Sequence, residues 1–416
     1  MPAAAAVPTS TGTSAAGRVR GRAPAIQSFI GGKCGRWRPG PPNLRPSLTP
    51  MQQLVAIAQT GQGFVETLST IWERGDAAMP LDPRLPDAAR AALIAALAPT
   101  RLIEADGTEQ RFNGRQVDAG DALVIATSGS TGTPKGVVHT HASLEASARS
   151  TSTALGVDPA TDRWLCCLPL THIAGLAIVV RARTFGIPLI VHDRFDVASV
   201  ETAARDGATL TSLVPTTLAR IDPSLFRRII VGGQASPENL PENCRASYGM
   251  TETGSAVVFD GDILPDVDLR IVDGEIQVRG DMLLRCYRDG TDPRTTDGWF
   301  PTNDAGELID GRLVVHGRRG DLIISGGEKI WPAPVEESIS ALASVNEVAI
   351  VGRPDDEWGH IVTAVVVAAD PSTPPTLDQL RDHVKQTLPA YCAPRRIEFL
   401  DALPRTSLGK VERKSL

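Results

Sequence analysis

The sequence predicts an α/β protein: a large N-terminal domain of α/β layers with a small β-barrel-like subdomain, followed by a small C-terminal α+β domain. Three observations carry this. Between residues 122 and 231, short apolar runs alternate with segments of helical periodicity, the pattern of buried strands covered by helices. From 269 to 316 the runs shorten and Gly-rich turns join them. After Arg318 the alternation resumes, over enough chain for a small domain. A length of 416 residues exceeds one typical domain. The expected divisions are 1–46, 47–319 and 320–416.

Residues 1–46 are rich in Ala, Ser, Thr, Gly, Pro and Arg, and no Asp or Glu occurs before residue 51. They read as a disordered or low-complexity tail. The Arg-rich, acid-poor composition leaves an organelle transit peptide as the alternative, and the lack of an apolar h-region argues against a secretory signal. Globular patterning begins near Leu48. Met51–Gln59, Val65–Arg74 and Ala88–Ala98 have helical spacing of apolar residues. Ala122–Thr127 reads as a strand running into a Gly/Ser/Thr-rich loop, with a helix at Ala142–Leu155 beyond it. Arg163–Leu168, Pro188–Val191, Thr209–Leu213 and Arg228–Val231 are strand-like. Leu269–Val272, Glu275–Arg279, Glu307–Ile309 and Arg312–His316 are short strands, with Asp273-Gly274 and Asp310-Gly311 as hairpin turns. Val335–Leu342 and Leu377–Thr387 are helical, and Val345–Val351 and Ile361–Ala368 are strands. No internal repeat occurs.

Composition excludes several functions. A net charge of −6 argues against a nucleic-acid surface, and 4% aromatic residues leave little for base stacking. The longest apolar runs, such as Ala91–Ala98 and Ala364–Ala369, are too short to span a bilayer. Cys34, Cys166, Cys167, Cys244, Cys286 and Cys392 form no C-x-x-C pair, so no zinc or thioredoxin-like site is indicated. Sparse cysteines suit a reducing cytosol, so a cytoplasmic location is expected.

The most informative segment is Thr127-Ser128-Gly129-Ser130-Thr131-Gly132-Thr133-Pro134-Lys135-Gly136. Gly129 and Gly132 let the backbone approach an anion, consecutive N–H groups can form an anion-binding nest, and hydroxyls and Lys135 add donors and charge. Such a loop suits a triphosphate. It is not a Walker A loop, because Lys135 stands between Pro134 and Gly136. No G-x-S-x-G elbow is present.

With this loop the chain resembles the superfamily of acyl-CoA synthetases, peptide-synthetase adenylation domains and beetle luciferases, over roughly residues 48–416. The resemblance implies ATP and Mg2+ as cofactors, coenzyme A as co-substrate, and further motifs in register. Tyr248-Gly249-Met250-Thr251-Glu252-Thr253-Gly254 matches the second signature. By resemblance Tyr248 faces adenine, Gly249 beside it is a nucleotide-binding residue, Thr251 meets phosphate and Glu252 holds Mg2+. Thr302-Asn303-Asp304-Ala305-Gly306 matches a T-G-D-x-G segment with Asn303 in place of Gly, so Asp304 is expected on the ribose hydroxyls and Arg318 on ribose or phosphate. Gly320 stands at the hinge about which the mobile C-terminal domain turns, where Asp or Lys is commoner. Gly326, Gly327 and Glu328 begin the segment expected at the coenzyme A tunnel. Lys410, in Pro404-Arg405-Thr406-Ser407-Leu408-Gly409-Lys410, is expected to bridge carboxylate and α-phosphate during adenylation.

The acid is suggested by finer features. The short N-terminal part, Ile229–Gln234 with Gly233, and the compact 325–328 segment resemble the o-succinylbenzoate–CoA ligase family of menaquinone biosynthesis. His172, in Pro169-Leu170-Thr171-His172-Ile173-Ala174-Gly175, would line or gate the acyl pocket, with a structural histidine as the alternative. Arg181 would pair a second substrate carboxylate, with Arg183 as rival and a surface ion pair as the bland reading. The other functions left open are a different aryl or short-chain acyl-CoA ligase, or an adenylating enzyme that loads a carrier protein. A homodimer is compatible with the sequence.

Overall fold

The computed structural model describes residues 19–20, 52–127, 134–233, 239–405 and 411–416. Two seven-stranded sheets form the large domain. The first runs, in spatial order, 286–287, 135–140, 121–127, 77–80, 54–57, 101–103 and 109–111. Its centre is parallel, and Lys135–Thr140 returns antiparallel to Asp121–Thr127. The second runs 262–263, 255–259, 244–250, 228–231, 210–213, 164–166 and 189–191. It is parallel from 189–191 to 244–250 and antiparallel beyond.

Central strands such as Leu54–Ile57 and Ala77–Pro80 are buried along their whole length, because helices or sheets cover both faces. This corrects the reading of Met51–Gln59 as helical. Four consecutive apolar residues fit a two-face-buried strand as well as a helix, and periodicity cannot separate them. The helices His141–Leu155 and Ile173–Phe185 pack on each other, and the first touches strands of both sheets. Thr140 and Ser143 cap the first in a reciprocal box, and Gly156 ends it at φ 60°.

A third sheet, of strands 19–20, 268–272, 275–279, 300–309 and 312–318, is the predicted β subdomain. The turns Asp273-Gly274 and Asp310-Gly311 have positive φ at both residues, 49° and 76°, then 50° and 81°, as type I′ hairpins demand. Asp260-Gly261 does the same at 50° and 88° between Phe259 and its partner Asp262. The last sheet, 328–330, 323–325, 359–368, 345–355 and 396–399, packs on helices Pro332–Ser340 and Leu377–Thr387 with its own core of Ile330, Val335, Ile339, Ile350, Val362 and Leu380. Among the described residues no helix is long and apolar enough to cross a membrane.

Candidate active site

Parallel sheets gather ligand-binding loops at the carboxyl ends of their strands. Four of the sequence motifs fall there: Thr127 closes Asp121–Thr127, His172 follows Trp164–Cys166, Gly233 follows Arg228–Val231, and Thr251–Glu252 follows Cys244–Met250. The phosphate loop itself, with Ser128, Gly129, Ser130, Thr131 and Gly132, lies outside the described residues, as does Lys410. Its flanks show that it joins two antiparallel strands, with Thr127 opposite Lys135, rather than a strand and a helix as expected. The helix begins only at His141, because Lys135–Thr140 first completes the sheet.

Tyr248, Asp304 and Arg318 form one cluster. The Tyr248 phenol donates to Asp304 Oδ2 at 2.9 Å, and Arg318 Nε pairs with Asp304 Oδ1 at 3.0 Å. Asp304 and Arg318 are direct cross-strand partners, so sheet register sets this pair. Arg318 also donates to the Thr302 carbonyl at 3.0 Å. Asp304 is buried, and burial together with its charge raises the Tyr248 phenol above its ordinary range, so Tyr248 stays a neutral donor. Asn303 has φ 61°, the left-handed conformation that explains why resembling enzymes place Gly there and why Asn is a tolerable substitute.

Glu252 and Lys135 form the neighbouring cluster. The Tyr287 phenol donates to Glu252 Oε1 at 3.1 Å, and the Lys135 ammonium sits 5.1 Å from the Tyr287 ring centre. Oε2 of Glu252 has no partner among the described residues. A single carboxylate fits Mg2+, which takes one or two carboxylates and completes its shell with phosphate oxygens and water. Beneath Glu252, fully buried His139 contacts the Thr251 carbonyl through Nε2 at 2.6 Å and Ser143 Oγ through Nδ1 at 3.0 Å. The carbonyl can only accept, which assigns the ring proton to Nε2. Gly249 is required by packing, since a Cβ there would lie 2.2 Å from the Ser255 carbonyl.

Arg181 is 2% exposed on helix Ile173–Phe185. It donates to Thr151 Oγ1 at 2.9 Å and to Ser255 Oγ, lies over the Trp164 ring, and has no carboxylate partner among the described residues. Burial pushes its guanidinium down to about 10. The gap beside it, lined by Ser147, Ala148, Ala177 and Gly254, is too narrow for a water molecule. Arg181 therefore reaches the Tyr248–Gly254 segment through Ser255. Arg183 is exposed, bonded to Ser69 and stacked over Trp72, which sets it apart from this cluster. His172 stands at the N-cap of the same helix. It adds its charge to that of Arg84, the main partner, in lowering the Asp82 carboxyl.

Gly320 lies in the turn Arg319–Asp321, where any side chain would fit. Arg319 pairs with Glu275 at 3.2 Å, and the other Glu275 oxygen accepts from Asn303 N–H at 2.9 Å. Gly326 and Gly327, at φ 58° and 89°, form the two-residue turn between Ser325 and Glu328. A Cβ on Gly326 would lie 2.5 Å from the Trp358 ring, so local structure alone accounts for both glycines. Arg405 pairs with Val411 across the segment that carries Lys410.

Sequence reading missed Tyr287, His139 and Glu275. Tyr287 left one trace: the chain has only three tyrosines, and two of them stand here. His139 and Glu275 belong to ordinary strand patterns.

The two seven-stranded sheets, the β subdomain and the C-terminal sheet-and-helix unit, with Tyr248–Asp304–Arg318 and Glu252–Tyr287–Lys135 clustered, define the adenylate-forming class of enzyme. The chain belongs to the AMP-binding enzyme family, matching its main domain over residues 106–288 and the AMP-binding enzyme C-terminal domain over 334–410. It is similar to a probable 2-succinylbenzoate–CoA ligase of Mycobacterium tuberculosis, 37% identical over 73% of this chain and 85% of that protein. It is 35% identical to the 2-succinylbenzoate–CoA ligase of Bacillus subtilis over 72% of this chain and 69% of that one. Among solved structures, o-succinylbenzoate CoA synthetase from Bacillus subtilis in complex with the acyl-adenylate intermediate aligns with TM-score 0.78 and 29% identity, covering 88% of each chain. The same enzyme with ATP and magnesium ion aligns with TM-score 0.78 at 29% identity over 88% of this chain and 90% of that one.

Proposed function

We propose that this chain joins 2-succinylbenzoate to coenzyme A in the cytoplasm, at the expense of ATP and through an acyl-adenylate. The observation that carries the reading is the convergence of Lys135, Glu252, Asp304 and Arg318 on two adjoining tyrosine-centred clusters, although they are far apart in sequence. The chain's similarity to 2-succinylbenzoate–CoA ligases supports the choice of acid.

A carboxylate resists nucleophiles because of its charge and because oxide leaves poorly. Attack on the α-phosphate, with pyrophosphate leaving, turns it into a mixed anhydride whose leaving group is AMP. In this reading Asp304 and Arg318 hold the ribose, Tyr248 and Gly249 face the adenine, and Thr251, Lys135 and the loop 127–132 hold the phosphates. Glu252 would hold Mg2+, which when bound offsets negative charge on the phosphates. Lys410 bridges the carboxylate and α-phosphate in the first step. Rotation at Gly320 then withdraws it and brings Gly326, Gly327 and Glu328 towards the site for attack by the coenzyme A thiol.

His172 and Gly233 border the acyl pocket. Arg181, a buried cation without a carboxylate partner among the described residues, is walled off by a gap too narrow for water, so in this reading its charge reaches the second carboxylate of the acid through the Ser255 hydroxyl that it holds. The reading asks nothing of a second copy, and a homodimer is compatible with it.

Mass spectrometry of the products from ATP, Mg2+, coenzyme A and 2-succinylbenzoate tests the proposal. AMP, pyrophosphate and the coenzyme A thioester are expected. A panel of acids that favours another aryl or short-chain acid would reassign the substrate. Adenylation without coenzyme A consumption would favour carrier-protein loading.

A further inference from the structure

Tyr287 lies on the short strand Cys286–Tyr287, paired antiparallel to Lys135–Thr140 with Tyr287 opposite Val137. Side chains alternate across a strand, so Lys135, two residues before Val137, shares the Tyr287 face as a diagonal neighbour. This explains the ammonium 5.1 Å from the ring centre, within range of cation–π attraction. At the far end of the ring the phenol reaches Glu252 Oε1 at 3.1 Å. The backbone repeats both ties. Leu284 N–H donates to the Glu252 carbonyl at 2.8 Å, and Arg288 N–H donates to the Gly136 carbonyl at 2.6 Å. The buried Arg288 guanidinium then fastens the strand to the carbonyls of Leu97 at 3.0 Å and Gln116 at 2.8 Å.

We infer that Tyr287 is a positioning residue that holds Glu252 by its hydroxyl and Lys135 over its ring, so that both are ordered before a metal–triphosphate binds, a role that rests on the adenylation reading above. The phenol uses one lone pair of Oε1 and leaves Oε2 without a partner among the described residues, so hydrogen bond and metal ion fit one carboxylate together. A carboxylate oxygen can only accept, so the Tyr287 hydroxyl is the donor of this bond. Without it the carboxylate must be ordered by the incoming metal, and affinity falls.

The test measures Mn2+ binding by electron paramagnetic resonance in the presence of a non-hydrolysable ATP analogue, using wild type, Tyr287→Phe and Tyr287→Leu. A hydrogen bond to a charged group corresponds to a change of about tenfold or more. Tyr287→Phe should weaken Mn2+ binding by about that factor and leave metal-free analogue binding unchanged, because the ring still faces Lys135. Tyr287→Leu should weaken both. Adding Tyr287→Phe to Glu252→Gln should cause little further loss. Mn2+ binding by Tyr287→Phe equal to or tighter than wild type overturns the inference, as does a full additional loss in the double variant. A wild-type chain that fails to bind Mn2+ with the analogue sinks the adenylation reading itself, a different result from a silent Tyr287→Phe. Phe removes one oxygen and keeps the ring, and an unchanged melting temperature separates positioning from loss of fold.

Discussion

Replacing His139 by Gln should change how acid affects stability. His139 is completely buried on Lys135–Thr140, four residues beyond Lys135, and burial holds its imidazole neutral. Its ring is pushed down from 6.5 to about 4, mainly by loss of water and against the opposing pull of the Thr251 carbonyl. The unfolded chain therefore takes up a proton at a pH where the folded chain does not. Stability from this residue is complete above pH 6.5 and is lost as pH falls towards about 4. At roughly 1.4 kcal/mol per pH unit, that interval corresponds to about 3 kcal/mol. His139→Gln keeps an amide donor near Thr251 but cannot titrate. Urea unfolding, followed by fluorescence of Trp72, Trp164 and Trp299 in the large domain, should show a steeper loss between pH 6.5 and 4 in wild type than in His139→Gln. Carboxylates titrate in both proteins, so the difference between them isolates the histidine. Superimposable pH profiles would refute the reasoning, because they would mean that the ring is solvated or already charged in the folded state. The same linkage should lower adenylation in acid, since the Thr251 carbonyl that His139 holds adjoins Glu252.

Three further outcomes are expected. Lys410→Ala should slow adenylation about a hundredfold or more, the usual loss for one transition-state charge partner. Thioester formation from supplied acyl-adenylate should survive, and equal loss in both half-reactions would remove the division of labour. Arg181→Ala should raise the Michaelis constant for the acid by about tenfold, the scale of one hydrogen bond to a charged group relayed by Ser255; an unchanged constant removes Arg181 from the substrate site. Asn303→Gly should leave ATP binding intact and stabilise the chain by up to about 1 kcal/mol, because Gly adopts the φ of 61° without a steric penalty. A lower unfolding midpoint would assign the Asn303 side chain a role of its own.

Much of the architecture was legible because local chemistry dictates it. Alternation marks half-buried strands, Asp-Gly dipeptides fit the positive φ values of two-residue hairpins, and the helix at 377–387 carries its own Thr376–Gln379 capping box. The motifs stood out in sequence as well, and the structure brings Tyr248, Asp304 and Arg318 into one cluster and Glu252 and Lys135 into another. The misreadings have one source. Leu54–Ile57 is a strand because neighbouring strands and covering helices bury both its faces, and the loop after Thr127 returns as a strand because Lys135–Thr140 finds a place in the sheet. Neither fact is encoded in a short window.

What the sequence determined by itself was the inventory of residues: a Gly/Ser/Thr-rich segment ending at Lys135, the Tyr248–Gly254 motif with Glu252, and Asp304 in its turn motif. Only the tertiary structure decided which groups hold those residues in place. Tyr248 meets Asp304 across 56 residues, Tyr287 meets Glu252 across 35, and His139 meets Thr251 across 112. Such pairings depend on strand register and sheet order, which emerge only when distant segments share a core. A tyrosine or histidine in a strand looks the same in sequence whether it faces oil, water or a carboxylate.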